Sequence, residues 1–358
     1  MRIHPKSSII RHTPVIHGGK NHSIKSDVMD FSSNITPIGT PKLVKTILKK
    51  NIDNIQKYPD FSSSEVISNL TRYTKLDKPY LLVGNGAIEI IYNFCFAFLS
   101  KNIKVLIPVP TFQEYETAAK LNNCTISYFT TMNISENLDL FLSKIPKKGC
   151  VFLCNPNNPT GKLLSKNQIL IIIKTAKKLS SIVFVDECFI EMVPDSNQSV
   201  ILYVKKYDNL FVLRSLTKSF GLPGIRIGYA AASKQMIKIL QKIKIPWSVN
   251  SLAQDAANVA LKNKSHIKRS NYVIKKELNY LMNAISKING FNCYASTTNF
   301  ILIKTKYNST KLQQKLLKHK ILIRDCKNFR GLDNHHIRIA VRSHKDNLKL
   351  VRTLEKVT

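Results

Sequence analysis

The sequence predicts a doubly wound α/β domain of mostly parallel sheet, followed by a smaller α+β domain. Three observations carry that expectation. Short apolar runs recur between Leu81 and Ala232, too short for helices and too uniformly apolar for half-exposed strands. Stretches with helical spacing separate them. After about residue 250 the character changes, with long helical patterns leading into a few isolated strands.

Taken in order, the runs are Leu81 to Val83, Val105 to Ile107, Val151 to Cys154, Ile182 to Val185, Leu210 to Leu213 and Ile227 to Ala231. Beyond them, helical patterns from about Ser251 to Lys287 precede strands at Thr298 to Ile303, Lys320 to Arg324 and His336 to Val341, around a helix near Thr310 to Lys318. The expected division is a large domain over 38–250 and a small one formed by 1–37 together with 251–358. No internal repeat, low-complexity segment or Gly/Ser-rich linker interrupts this plan.

The chain has 358 residues, enough for about two domains, and 44% hydrophobic residues, ample for a sizeable core. Its 55 Lys and Arg against 22 Asp and Glu give a formal charge of +33. Such a balance raises nucleic-acid binding as a possibility, but no zinc-finger spacing, basic zipper or aromatic RNA-binding signature accompanies it. The cations are spread along the chain, as on a lysine-rich solvent face, and no nucleic-acid partner is expected. The longest apolar runs, such as Ile169 to Ile173, are far short of the roughly 18 to 20 residues that span a bilayer. The N-terminus, Met1 to Ser7, lacks the apolar core of a secretory signal, which predicts a cytoplasmic protein. Seven scattered cysteines give no disulfide framework and no metal-ligand spacing; Cys150 and Cys154 read as buried strand residues.

The residues just past each apolar run are more telling. The runs end in Gly84-Asn-Gly86, Pro108-Val-Pro-Thr-Phe112, Asn155-Pro-Asn-Asn-Pro-Thr-Gly161, Asp186-Glu187 and Arg214-Ser-Leu-Thr-Lys218. In open α/β sheets ligands bind outside the carboxyl ends of the strands. Asp186 and Lys218 suit pyridoxal 5′-phosphate, which needs a lysine for its aldehyde and a carboxylate beside its pyridine nitrogen. The cofactor's phosphate needs amides, hydroxyls and a cation. Gly86 and Ala87 open a helix whose free N-terminal amides would serve, and Ser215, Thr217 and Arg226 supply the rest. Phe112 is placed to stack on the ring, and Asn158 to bond its hydroxyl oxygen.

These motifs resemble the fold-type I pyridoxal-phosphate enzymes, in the branch that holds histidinol-phosphate aminotransferases and threonine-phosphate decarboxylases. The resemblance covers essentially the whole chain. His17-Gly-Gly19, Asp30-Phe-Ser-Ser-Asn34, Tyr58-Pro-Asp60, Pro246 to Asn250, Ile321 to Arg324, Asn328 to Asp333 and Arg338 to Ser343 are more similar to the decarboxylases. So is Phe189, where aminotransferases usually carry Tyr; Ser219-Phe220-Gly221 instead resembles the aminotransferases.

The resemblance implies that Lys218 forms the Schiff base, Asp186 faces the pyridine nitrogen, and Asn158 and Phe112 hold the ring. It implies Gly86, Ala87, Ser215, Thr217 and Arg226 around the phosphate, and Tyr58 reaching the cofactor of a second subunit in a homodimer with shared sites. His17, Gly18, Asn34, Asn157, Arg324 and Arg338 would contact the substrate, a small phosphorylated amino acid. The implied reaction is decarboxylation of O-phospho-L-threonine in cobalamin side-chain synthesis. The alternatives are histidinol-phosphate aminotransfer and, more remotely, a DNA-associated regulator that binds the cofactor, which would need an appended helical domain.

Overall fold

A computed structural model describes residues 5–10, 12–19, 27–194 and 197–358. The first four residues of the N-terminal segment, and residues 11, 20–26 and 195–196, fall outside it, so the reading of Met1 to His4 is not addressed by the structure.

The centre is a seven-stranded sheet in the order Leu81–Gly84, Gly228–Ala232, Leu210–Ser215, Ile182–Asp186, Cys150–Cys154, Lys104–Val109, Thr125–Thr130. All pairings are parallel except those of Gly228–Ala232, which runs antiparallel to both neighbours. The strands from the six apolar runs are buried along nearly their whole length, because helices cover both faces of the sheet. Thr125–Thr130 is the exception. It lies at the sheet edge with alternating exposure, so its sequence, Thr-Ile-Ser-Tyr-Phe-Thr, carries no continuous apolar run and escapes the sequence reading.

Side chains alternate between the two faces, so the sheet feeds two cores. One contains Val151, Val183, Val185, Val212 and Tyr229, covered by the helix Lys166–Lys178. That helix begins with a capping box in which Ser165 and Gln168 satisfy each other's backbone amides. The other core holds an aromatic ladder. Tyr115 stacks on Phe152 at 5.2 Å and 13°, and Phe184 on Phe211 at 5.0 Å and 21°. Such pairs add about 0.5 to 1.5 kcal/mol each beyond their burial.

The small unit has an antiparallel sheet in the order Arg324–Asp325, His336–Ala340, Phe300–Thr305, Phe291–Cys293. The helices Lys264–Ile285, Ser309–Lys318 and His344–Val357 pack on it. The N-terminal segment joins it through Met29–Asp30, which pairs in parallel with Ile321–Leu322, and through Phe31, buried in the same core. The helix Ser251–Lys262 follows the expected boundary at 250. Ala253, Ala256, Ala257, Ala260 and Leu261 of the helix Ser251–Lys262 pack into the core of the large unit, since small side chains at helical spacing let that helix lie close.

Candidate active site

A cavity of about 260 Å³ lies where the carboxyl ends of the central strands meet the small unit and residues 15–18. Its floor comes from four strand ends. Asp186 terminates Ile182–Asp186, and its Oδ2 accepts from the Tyr115 hydroxyl at 2.6 Å while Oδ1 accepts from the Cys188 amide at 2.8 Å. Burial pushes this carboxyl upward, and the hydrogen bonds from Cys188 and Tyr115 oppose the shift. Lys218 lies on the four-residue helix Leu216–Ser219 after the next strand. Its amine is pulled down to about 8, first by burial and then by the Arg338 guanidinium, which raises the fraction present as nucleophile near neutral pH.

One wall is a cradle for an anion. Gly86 opens the helix Gly86–Phe98 at φ 77°, and a Cβ there would lie 2.5 Å from Nη2 of Arg226, so only glycine lets the guanidinium sit against the helix N-terminus. Arg226 itself adopts φ 61°, uncommon for a residue with a Cβ. The Ser215 hydroxyl donates to Thr217 Oγ1 at 2.6 Å and accepts from the Thr217 amide at 3.1 Å. Ala87, Ser215, Thr217 and Arg226 all line the cavity.

The opposite wall is arginine. In the antiparallel pairing of the small sheet Arg324 stands directly across from Arg338, a register in which like charges repel. Burial lowers both, Arg338 to about 10, with the charge of Arg324 contributing. Arg338 donates to the Ser32 carbonyl at 2.7 Å and to Oδ1 of Asn158, its Nε has no partner, and Arg324 donates to the Ile16 carbonyl at 2.6 Å. Among the described residues, the hydrogen bonds of the cavity's three arginines, Arg226, Arg324 and Arg338, run to backbone and side-chain carbonyls, while His17 on the same lining meets the carboxylate of Glu114.

The cavity therefore gathers most of the residues expected from the sequence: His17, Gly18, Asn34, Ala87, Phe112, Asn158, Asp186, Ser215, Thr217, Lys218, Arg226, Arg324 and Arg338, with Gly86 behind the cradle. Two are elsewhere. Asn157 does not line it, because its side chain is engaged with the Pro110 carbonyl, Thr160 and Thr111, holding two loops together. Tyr58 is 83% exposed on the surface, in tilted contact with Trp247 at 5.0 Å. Sequence reasoning missed two supports. Tyr115 bonds Asp186, and the buried Glu114 accepts from His17 and from Tyr92, each at 2.7 Å. Burial raises the Glu114 carboxyl, but the bonds from His17 and Tyr92 outweigh it and hold the group below its ordinary value. Their signal was faint: both come within three residues of Phe112, at the start of a helix.

The fold and cavity define a fold-type I pyridoxal-phosphate enzyme. The family model described as "Aminotransferase class I and II" matches residues 26–354, and the chain belongs to that family. It is 37% identical, over 95% of its length and 93% of the relative, to a protein of Caldanaerobacter subterraneus subsp. tengcongensis provisionally assigned as a threonine-phosphate decarboxylase. The histidinol-phosphate aminotransferase of the same organism is 34% identical over 96% and 97%. Two solved structures show the same pairing. The histidinol-phosphate aminotransferase of Clostridium acetobutylicum has a TM-score of 0.84 at 34% identity, and the L-threonine-O-3-phosphate decarboxylase of Porphyromonas gingivalis 0.83 at 26%, each covering 91% of this chain and 98% of the other.

The cofactor is pyridoxal 5′-phosphate, and the residues fit it. A glycine at 86 keeps the phosphate cradle open, and Asp186, a buried carboxylate on the cavity lining, would pair with a protonated ring nitrogen. The amide oxygen of Asn34 is buried without a partner on the cavity lining.

Proposed function

We propose that the protein decarboxylates O-phospho-L-threonine to (R)-1-aminopropan-2-ol O-phosphate and CO2, supplying the aminopropanol linker of cobalamin, as a cytoplasmic homodimer with shared sites. The observation that carries this reading is the facing pair Arg324 and Arg338, which calls for a ligand bearing two anions.

The bound cofactor supplies an electron sink for the pair left at Cα when a bond there breaks. The protein's part is binding, orientation and proton handling. Lys218 would hold the cofactor and stands on the floor, where its amine would serve as base or acid toward Cα. Asp186, braced by Tyr115, keeps the pyridine nitrogen protonated. Gly86, Ala87, Ser215, Thr217 and Arg226 hold the cofactor phosphate, while Phe112 and Asn158 fix the ring. Arg324 and Arg338, with His17, Gly18 and Asn34, would grip the substrate's phosphate and carboxylate and so orient the substrate for loss of the carboxylate. Phe189 lines the cavity beside Asp186 and packs edge-on against Phe300 at 5.1 Å, so it brings no hydroxyl to the ring oxygen. Tyr58, exposed on one chain, is available to complete the neighbour's site.

Histidinol-phosphate aminotransfer is the second reading, favoured by the 34% identity to solved and curated aminotransferases. The holoenzyme incubated with O-phosphothreonine should release CO2 and aminopropanol phosphate in equal amounts. No CO2, together with glutamate-dependent turnover of imidazole-acetol phosphate, would replace the first reading with the second.

A further inference from the structure

Behind the cavity floor lies a buried polar cluster that touches neither cofactor nor substrate. Three of its members are each next in the chain to a residue of the floor, with their side chains directed away from the cavity. Glu187 comes after Asp186, Arg214 precedes Ser215, and Ser219 comes after Lys218. Arg214 donates from Nε to Glu187 at 2.8 Å, from Nη2 to Ser199 at 2.7 Å and from Nη1 to Glu191 at 3.1 Å. Glu191 also accepts from the Tyr73 hydroxyl at 2.8 Å and, through its other oxygen, from the Ser219 hydroxyl at 2.5 Å.

A buried arginine with two carboxylates is an inefficient way to stabilise a fold, since apolar side chains of equal volume do as well or better. The arrangement is suited to fixing geometry. Lys218 sits on a single turn, Leu216–Ser219, too short to be stable alone. Its N-terminal side-chain anchors, Ser215 and Thr217, are the hydroxyls that turn to the cofactor phosphate. The side-chain anchor at its C-terminal end is the charge-assisted bond from Ser219 to Glu191.

We propose that Glu191 is a positioning residue for Lys218: held by Arg214 and Tyr73, it grips Ser219 and so sets the direction in which the turn presents the lysine amine to the cofactor. The inference rests on Lys218 being the cofactor lysine, which Lys218→Ala tests separately through loss of the visible absorption of the lysine–cofactor linkage.

The experiment compares Ser219→Ala, Glu191→Gln and the double variant as holoenzymes. The pH midpoint of the linkage's absorption change, the rate at which added pyridoxal phosphate forms the linkage, and kcat and KM for phosphothreonine are measured. Each single variant should move the midpoint in the same direction by at least about half a pH unit. Linkage formation and kcat should slow about tenfold while KM stays within about twofold, and the double variant should add little. A midpoint and linkage rate equal to the parent's in the single variants, whatever happens to Tm, overturns the proposal and leaves the cluster purely structural. If Glu191→Gln does not fold, Ser219→Ala alone decides, since it removes one hydroxyl and leaves the ion pairs. A Lys218→Ala protein that keeps the band would instead overturn the assignment of the lysine.

Discussion

The floor of the cavity is built from strand ends buried on both faces, whereas its mouth is built from the two-residue strand Arg324–Asp325, Arg338 of the strand His336–Ala340, a loop and residues 15–18. Beneath Asp186 lies the aromatic ladder of Tyr115, Phe152, Phe184 and Phe211. Beside Arg324 lie the Ile16 carbonyl and the ring of Phe329, 5.5 Å from the guanidinium. Groups that must hold a cofactor through every turnover are set in the part of the molecule least able to move. Of the groups that would grip the substrate, Arg324 sits on a two-residue strand at the edge of the small sheet and His17 and Gly18 lie outside any helix or strand, while Arg338 is carried by the buried strand beside Arg324.

Variants at the two ends should therefore fail in different ways, and the largest effect belongs to the floor. Lys218→Ala should abolish both the visible absorption of the linkage and all turnover; a protein that keeps either breaks the assignment. Next come the arginines of the mouth. Arg338→Ala or Arg324→Ala should lower kcat/KM about 10²- to 10³-fold, in line with losing one partner of a buried charge-assisted pair. The absorption of the linkage should remain, because Lys218 and the phosphate cradle are still present, although Arg338→Ala removes a cation that lowers the lysine and should shift its pH dependence upward; a lost band would show that the two ends are not separable.

A smaller effect concerns pH. Below about 8 the Lys218 amine is protonated and cannot attack the cofactor's aldehyde, and above it the amine is free. Loading of cofactor-free protein should therefore quicken as pH rises through about 8 and level off beyond, rather than climbing until near 10.5 as for an ordinary lysine. The smallest expected effect is that of salt. If the +33 charge helps gather a phosphorylated substrate, kcat/KM should fall a few-fold between low and moderate ionic strength while kcat holds. A flat profile would confine the useful charge to the cavity itself.

The same contrast explains what could be read from the sequence. Strands buried on both faces leave uninterrupted apolar runs, and the loops after them hold Asp186, Lys218, Asn158 and Arg226 at places where chemistry is expected. The floor was legible for that reason. The edge strand Thr125–Thr130 was not, because one side of it meets solvent and its pattern alternates. Arg324 and Arg338 were expected from the family resemblance, but their opposition across a ladder depends on register, which pairing alone sets. Asn157 and Asn158 differ in a way the sequence does not carry: two adjacent asparagines in one turn look equivalent there, and only the fold shows that Asn158 faces the cavity while Asn157 bonds the Pro110 carbonyl. Tyr115 and Glu114 act through partners 71 and 97 residues away, a separation that leaves no local trace.

The opposed arginines have one more consequence, which concerns the amino acids the enzyme must ignore. Free threonine has the same carbon skeleton and the same α-amino group, so nothing at the floor can reject it. With a single carboxylate it can quiet only one of two guanidiniums that stand across from each other at the mouth, and the other stays buried and unanswered. On the proposed function the cavity would select by counting charges rather than by measuring shape, and free threonine should turn over far more slowly than its phosphate ester.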